Sequence, residues 1–377
     1  MKIYKLELNI PKKSLIAILD YPGANLIKKT LNLNNLPIIS LRNVKINLYV
    51  LFLSFFENHK YKKGQRYIIS YLKFIKPKIV ISHIDNNNFF FKLKKEFPEI
   101  NFVFIQNGTS LADYTQNEIL KLDWKLDHFF SYSRSFSKLY DSIFKKKSIT
   151  IGSFKNNFKK IKKNTRKKRS LVFISQFTKF NYLNEKIKSG KNFHSRDKFF
   201  EAEKILLPVL NEFCVNKNIK LIISGRNFTK EDSAKEKNFY ENIISVNKSK
   251  GGNFIFKNIK NDFSSYELID NSKIVVFIDS ALGYQSLARG NISLACCIRS
   301  SLLQNKNLKF GWPAKFIDEG PFWINNFNKI KILKKLEFLY NLSSSKWDKI
   351  YQKYNDKLLI YDEGNNTFKK LIKKLTK

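Results

Sequence analysis

The stretch IVVFIDSALGYQSLARG, residues 274–290, decides how this chain is read. Residues 274–278 form an unbroken apolar run, short and rich in β-branched side chains, which predicts a strand buried on both faces. Asp279 and Ser280 break the run, and residues 282–288 continue with helical spacing. Ser280 is placed to cap that helix. The free N–H groups of its first turn would point at whatever lies beyond the strand, and Gly283 would let a phosphate come close. A helix that starts just past a buried strand is the repeating unit of a parallel α/β sheet with an anion-binding edge.

Working outward, the same alternation runs from end to end. Strands are predicted at 15–19, 36–41, 78–83, 101–106, 128–132 and 149–152, and again at 171–177, 220–224, 253–256 and 292–296, with amphipathic helices between them. The pattern halts once, in a lysine-rich stretch poor in apolar residues, and then restarts. We therefore expect an N-terminal Rossmann-like domain at 1–157 and a basic linker at 158–169. A C-terminal Rossmann-like domain at 170–345 and a helical tail at 346–377 follow. The fold class is α/β: two doubly wound domains facing across a cleft.

The formal charge of +39 comes from 70 basic residues, only nine of them Arg. Lys, Asn, Ile and Phe are all abundant, as A/T-rich codons would dictate. A nucleic-acid reader would use more Arg, whose planar fork suits phosphates and bases, so nucleic acid is not an expected partner. The charge favours anionic small molecules and anionic membrane. Three Cys without a C-x-x-C pair and four His argue against a disulfide framework and against a metal site. Residues 48–56, the longest apolar run, are too short to span a bilayer. No signal-peptide pattern opens the chain, so we expect a cytoplasmic protein that rests peripherally on the inner membrane face.

Polar residues just past predicted strands are the candidate site. Past the strands of the second half stand Ser175, Gln176 and Arg226, the last a bidentate phosphate clamp. His194 and Arg196 precede a long helix whose start favours anions, and Lys155 could meet a phosphate near the linker. In the first half, Asp85 is a candidate general base for an acceptor hydroxyl, and Asp20 a second. Asn86, Asn87, Gln106, Asn107, Gly108, Ser153 and Asn156 would line the acceptor side, with Asn107-Gly108 read as a turn needing positive φ. The loop from Asp318 to Trp323 pairs carboxylates with aromatics that would stack on a sugar or belong to the core. A P-loop, a G-x-G-x-x-G after the first strand, a G-x-S-x-G elbow and a D-x-D metal motif are all missing. No cofactor is expected; a nucleotide sugar, its base unknown, would be substrate.

Residues 279–290 resemble the D-S-x-L-G-Y-E-x-x-A-R-G element of bacterial surface carbohydrate biosynthesis proteins. These are GT-B-like glycosyltransferases related to capsule and lipopolysaccharide enzymes. HIDNNNFF (83–90), FIQNGTS (104–110), IGSFKNN (151–157) and FISQF (173–177) resemble further segments of that family, in the same order. The resemblance implies that the domain at 1–157 is the acceptor side, that the domain at 170–345 binds the nucleotide sugar, and that Ser280, Gly283, Tyr284, Gln285 and Arg226 face the donor. It also shows a departure, since Gln285 stands where the family pattern has Glu. The expected activity is metal-independent transfer of a sugar from a nucleotide sugar to a lipid-linked or polysaccharide acceptor of the O-antigen or capsule kind. The alternatives are a sugar-nucleotide 2-epimerase or CDP-polyol phosphotransferase on the same scaffold, or a non-catalytic carbohydrate- or RNA-binding protein.

Overall fold

The computed structural model describes residues 5–40, 45–84, 88–108, 124–161, 169–177, 186–189, 192–227, 229–245 and 254–377. The chain divides into two compact units. The first runs to Phe158 and takes back Tyr361–Lys377, and the second is Lys159–Ile360.

In the first unit, β1 (Lys5–Glu7), β2 (Ile16–Leu19), β3 (Ile38–Ile39), β4 (Lys45–Asn47), β5 (Ile79–Ser82), β6 (Asn101–Ile105), β7 (His128–Ser131) and β8 (Ile149–Thr150) alternate with helices. Six of these strands form a sheet in the order β3-β2-β5-β6-β7-β8, parallel throughout. β1 pairs with β4 apart from it. Every residue of β2 and β5 is buried, as continuous apolar strands covered on both faces by helices require. Each fully buried Ile or Phe there adds about 1.5–3 kcal/mol of transfer free energy.

The second unit holds β9 (Ser170–Ile174), β10 (Lys186–Ser189), β11 (Asn192–Ser195), β12 (Lys220–Ser224), β13 (Phe254–Lys257), β14 (Ile274–Phe277), β15 (Ser293–Cys296), β16 (Glu319–Gly320) and β17 (Trp323–Ile324). Its main sheet has the order β13-β12-β9-β14-β15-β17-β16, parallel except at the β16–β17 edge. The core runs from Leu171 to Leu358 and takes in Cys214, Cys296 and Cys297. Burial pushes the Cys214 thiol up to about 12, which leaves no thiolate at neutral pH.

The apolar run 48–56, assigned no element from its sequence, begins as a helix, Leu48–Leu53, because Asn47 caps it by accepting from the Val50 N–H at 3.1 Å. One difference from the sequence reading matters. The tail is not a separate element. The helix Ser344–Gln352 packs in the second unit, with Trp347 and Tyr351 in its core. The final helix, Asn366–Thr376, packs in the first, where Phe368 lies against Phe130 and Phe154 at ring separations of 5.3 and 5.0 Å. Asn157 secures this return by donating to Asn365 Oδ1 at 3.0 Å and accepting from the Asp362 N–H at 3.0 Å. Residues 162–168 of the expected linker lie outside the described residues.

Candidate functional site

In the second unit the chain lays down β9, then β12 and β13 on one side, then β14 and β15 on the other. The order reverses between β9 and β14, which is where doubly wound sheets open a crevice beyond the carboxyl ends of their strands. The loops that leave those two strands meet there. The Asp279 N–H donates to Gln176 Oε1 at 3.3 Å. Arg299, on the short helix after β15 and 1% exposed, joins both loops. Its Nη1 donates to Gln176 Oε1 at 2.9 Å and to Asp279 Oδ1 at 2.6 Å, its Nη2 to Glu203, and its Nε to the Phe199 carbonyl at 3.1 Å. Burial would lower the Arg299 pKa, but the Asp279 and Glu203 carboxylates outweigh it and hold the pKa above its ordinary value. Glu203 shows the opposite balance. Burial raises its carboxyl pKa against the pull of Arg299, and its Oε2 has no hydrogen-bond partner among the described residues.

The loop after β12 is locked differently. Glu236, fully buried on the helix Lys230–Ser245, accepts from the Arg226 N–H at 2.9 Å, the Asn227 N–H at 3.1 Å and Asn227 Nδ2 at 2.8 Å. It also accepts from the Ser175 hydroxyl, which itself accepts from Tyr240 at 2.9 Å and from the Phe177 N–H at 3.1 Å. Hydrogen bonds to a charged acceptor stabilise by about 1.5–3 kcal/mol each, so Glu236 fixes the backbone under Arg226. The guanidinium is exposed and has no ion partner among the described residues. A fixed backbone with an uncommitted cation suits capture of a diffusing anion.

The motif 279–290 turns inward more than expected. Ser280 occupies the N-cap position of Ala281–Ala288, but its hydroxyl makes no capping bond. Gly283 makes room for the sheet and not for a ligand, because a Cβ there would stand 2.0 Å from the Phe277 ring. Tyr284 stacks on Phe310 and accepts from the Gly311 N–H at 2.9 Å. Gln285 is buried and its Oε1 accepts from Tyr266 at 2.8 Å. Arg289 pairs with Asp270 and donates to the Lys159 carbonyl at 2.9 Å, and Gly290 turns the chain at φ +78°. What remains open to solvent at the helix start is Ser280 and the neighbouring backbone.

The first unit has its own reversal, between β2 and β5. Asp20 follows β2 with φ 76°, is buried, and accepts from the Ser40 hydroxyl at 2.8 Å. A non-glycine residue held in the left-handed region is a strained position of the sort that functional edges collect. His83 follows β5, also buried, edge-on to Phe154 at 5.8 Å and close against Gly23. Asp85, Asn86 and Asn87 lie outside the described residues. Gln106 is buried, donating to the Gly108 carbonyl at 2.7 Å and accepting from the Tyr132 N–H at 2.8 Å. Asn107 is exposed, its carbonyl accepting from Tyr132. The positive φ expected at Asn107-Gly108 is not found there; among the described residues of this edge it falls at Asp20, Gly23 and Gly152. Ser153 and Asn156 are buried at the start of the helix Phe154–Phe158, which carries half-buried Lys155.

Of the remaining phosphate candidates, His194 lies in β11 and is 8% exposed, with Nε2 lacking a hydrogen-bond partner among the described residues. Burial, and then Lys198, lower its pKa, so it is neutral at pH 7 and donates or accepts without charge. Arg196 opens the long helix that follows. The Asp318–Trp323 loop is structural. Asp318 is bonded to Lys309 and Asn325, Glu319 to Lys331 and Lys335, and those bonds hold both carboxyls below their ordinary range. Trp323 is buried and donates to the Ile317 carbonyl at 2.9 Å. The sequence reading passed over Arg299, Glu203 and Glu236. Arg299 satisfied the criterion used for Arg226, an Arg soon after a strand. The two glutamates sit on helices whose spacing does not separate a buried carboxylate from a solvated one.

Residues 103–376 match the sequence profile of a family described as "putative O-antigen biosynthesis protein". The chain belongs to that family. No curated protein matches it by sequence. Among solved structures it is similar to the Staphylococcus aureus MnaA–UDP complex, with TM-score 0.54 and 12% identity over 96% of this chain and 93% of that one. It is also similar to the Methanocaldococcus jannaschii UDP-GlcNAc 2-epimerase in complex with UDP-GlcNAc and UDP (TM-score 0.52, 13% identity, 96% and 98% covered). The wall teichoic acid polymerase TagF is a third (TM-score 0.51, 12% identity, 97% and 90% covered). These likenesses show the fold: the family member has two Rossmann-like domains of the GT-B kind. Among its described residues no helix is long and apolar enough to cross a membrane.

Proposed function

We propose that this O-antigen family member is a glycosyltransferase that moves a sugar from a nucleotide-sugar donor to a cell-surface polysaccharide or lipid-linked acceptor. The carrying observation is the carboxyl edge of the second unit's sheet. There Glu236 fixes the backbone of Arg226 while leaving its guanidinium exposed, and a helix begins at Ser280 with its hydroxyl uncommitted. The donor's diphosphate would lie against Arg226, Ser280 and the first N–H groups of that helix. The acceptor hydroxyl attacks the anomeric carbon, the bond from that carbon to the phosphate oxygen breaks, and the nucleotide leaves with its charge met by Arg226 and the helix start. The proton lost by the acceptor passes to a carboxylate, for which Asp20 and Asp85 are the candidates. Similar structures solved with UDP or UDP-GlcNAc support a nucleotide sugar as the donor class. No step calls for a metal ion. A cytoplasmic location, where nucleotide sugars are made, fits this reading.

The test is product analysis. Purified protein is given UDP-, GDP-, CDP- and dTDP-sugars with and without a lipid-linked oligosaccharide acceptor. Acceptor-dependent release of nucleoside diphosphate with a lengthened acceptor is the expected result. Conversion of donor alone to its C2 epimer would replace the proposal with the epimerase reading. Transfer of a polyol phosphate with release of CMP would replace it with the phosphotransferase reading. Absence of nucleotide binding, with Gln285 committed to Tyr266, would replace it with a non-catalytic carbohydrate-binding role.

A further inference from the structure

One region of the first unit exposes large apolar side chains that its own fold leaves uncovered. β1 pairs with β4 in register Leu6 with Ile46, Asn47 Nδ2 donates to the Asn9 carbonyl at 2.6 Å, and the helix Leu48–Leu53 leaves β4 directly. The segment from Leu6 to Ile10 is thus tied beside β4 and the start of that helix, which the turn Ser54–Phe56 follows. Their solvent faces carry Leu8 at 77% exposure, Phe55 at 62% and Phe56 at 76%, together with Leu6, Ile10 and Phe52. Phe52 and Phe56 touch edge to face at 5.2 Å. Single exposed hydrophobics need no explanation, but a cluster of this kind marks a surface that meets something apolar.

The charges around it name the partner. Lys12 and Lys13 are exposed just past Ile10, and Lys60, Lys62 and Lys63 just past Phe56. Among the described residues of 5–63 the acidic side chains are Glu7, Asp20 and Glu57. Asp20 is buried, and Glu57 is half-buried and paired with Lys73 at 2.8 Å. Apolar tips flanked by lysines match the boundary of an anionic bilayer. There phenyl and leucyl groups enter the acyl region, and ammonium groups sit at the headgroups, each contributing about 1 kcal/mol. A second copy of this chain would bring five like charges face to face.

We propose that this face, residues 6–10 and 52–56 with its lysine rim, docks the protein on an anionic lipid bilayer. The contact is independent of the donor site. The test is sedimentation of the full chain with vesicles of phosphatidylcholine alone and of phosphatidylcholine with phosphatidylglycerol. Binding only to the anionic vesicles is expected. It should fall at least tenfold in Phe55→Ser/Phe56→Ser, and should fall and lose its salt dependence in Lys12→Gln/Lys13→Gln/Lys60→Gln/Lys62→Gln. Because these side chains are exposed, the variants should keep the wild-type circular dichroism melt and nucleotide binding, which separates failure here from failure of the donor reading. No binding to anionic vesicles, or full binding by the folded phenylalanine variant, would overturn the proposal. So would concentration-dependent dimerisation that this variant abolishes.

Discussion

The two sheets end in different chemistry. At the carboxyl edge of the second, the buried polar groups include charged side chains bound to one another or to backbone. Arg299 holds Asp279 and Glu203, and Glu236 holds the loop under Arg226. In the first, most are neutral. The hydroxyls of Ser131, Ser137 and Thr150 form a chain, Gln106 bonds to backbone, and Asn157 and Asn365 face each other. Burying a charge costs far more desolvation than burying a hydroxyl or amide, and only close pairing offsets it. The contrast suits the function proposed above, in which the second unit holds a phosphate-bearing ligand.

Four substitutions would break or sharpen this contrast. Arg299→Leu removes the cation shared by the buried Glu203 and the partly buried Asp279 and should cost about 3–5 kcal/mol, read as a lowered urea midpoint. A loss under about 1 kcal/mol would mean that the charged edge does not hold the unit together. Gly283→Ala should cost about 3 kcal/mol, because a methyl cannot share space with the fully buried Phe277 ring. An unchanged melting temperature would show that the helix and strand are less tightly apposed. In the neutral unit, Asn157→Ala removes three hydrogen bonds at a buried site. It should cost about 2 kcal/mol and expose amides of the final helix to hydrogen exchange before those of β5.

Glu203→Gln should matter least, within about 1 kcal/mol at neutral pH, because burial already disfavours its charged form. The sign of the pH dependence follows. A carboxyl whose folded pKa lies above its unfolded value contributes stability fully below the unfolded value and loses it as pH rises through the folded one. The wild type should therefore weaken relative to Glu203→Gln as pH rises from the acidic carboxylate range toward neutrality. Parallel stability curves would assign Glu203 an ordinary titration.

Much of the fold was legible because each strand is a short apolar run bounded by polar residues. The run Leu48–Leu53 was left without an element, since length and hydrophobicity alone do not separate a buried strand from a capped helix, and Asn47 decides the matter. The final helix shows its amphipathic spacing in the sequence, but not that Phe368 would return to the first sheet. At the candidate site, residues 279–290 were correctly placed after a strand. Their side-chain directions were hidden: Gly283, Tyr284, Gln285 and Arg289 are all engaged inside the second unit. A strand-turn-helix pattern gives position along the chain, and only packing tells which face of the helix each residue takes.

The central claim is that the charged edge of the second unit holds the nucleotide. It is tested most directly by thermal stabilisation with UDP, GDP, CDP, CMP and dTDP, comparing wild type with Arg226→Ala. At a hundredfold excess over the dissociation constant a bound ligand stabilises by about 2.7 kcal/mol, enough to raise the melting temperature by several degrees. The account predicts a shift selective for one base that Arg226→Ala loses while its unliganded melt stays at the wild-type value. An equal shift in the variant, or no shift with any of the five nucleotides, would contradict it.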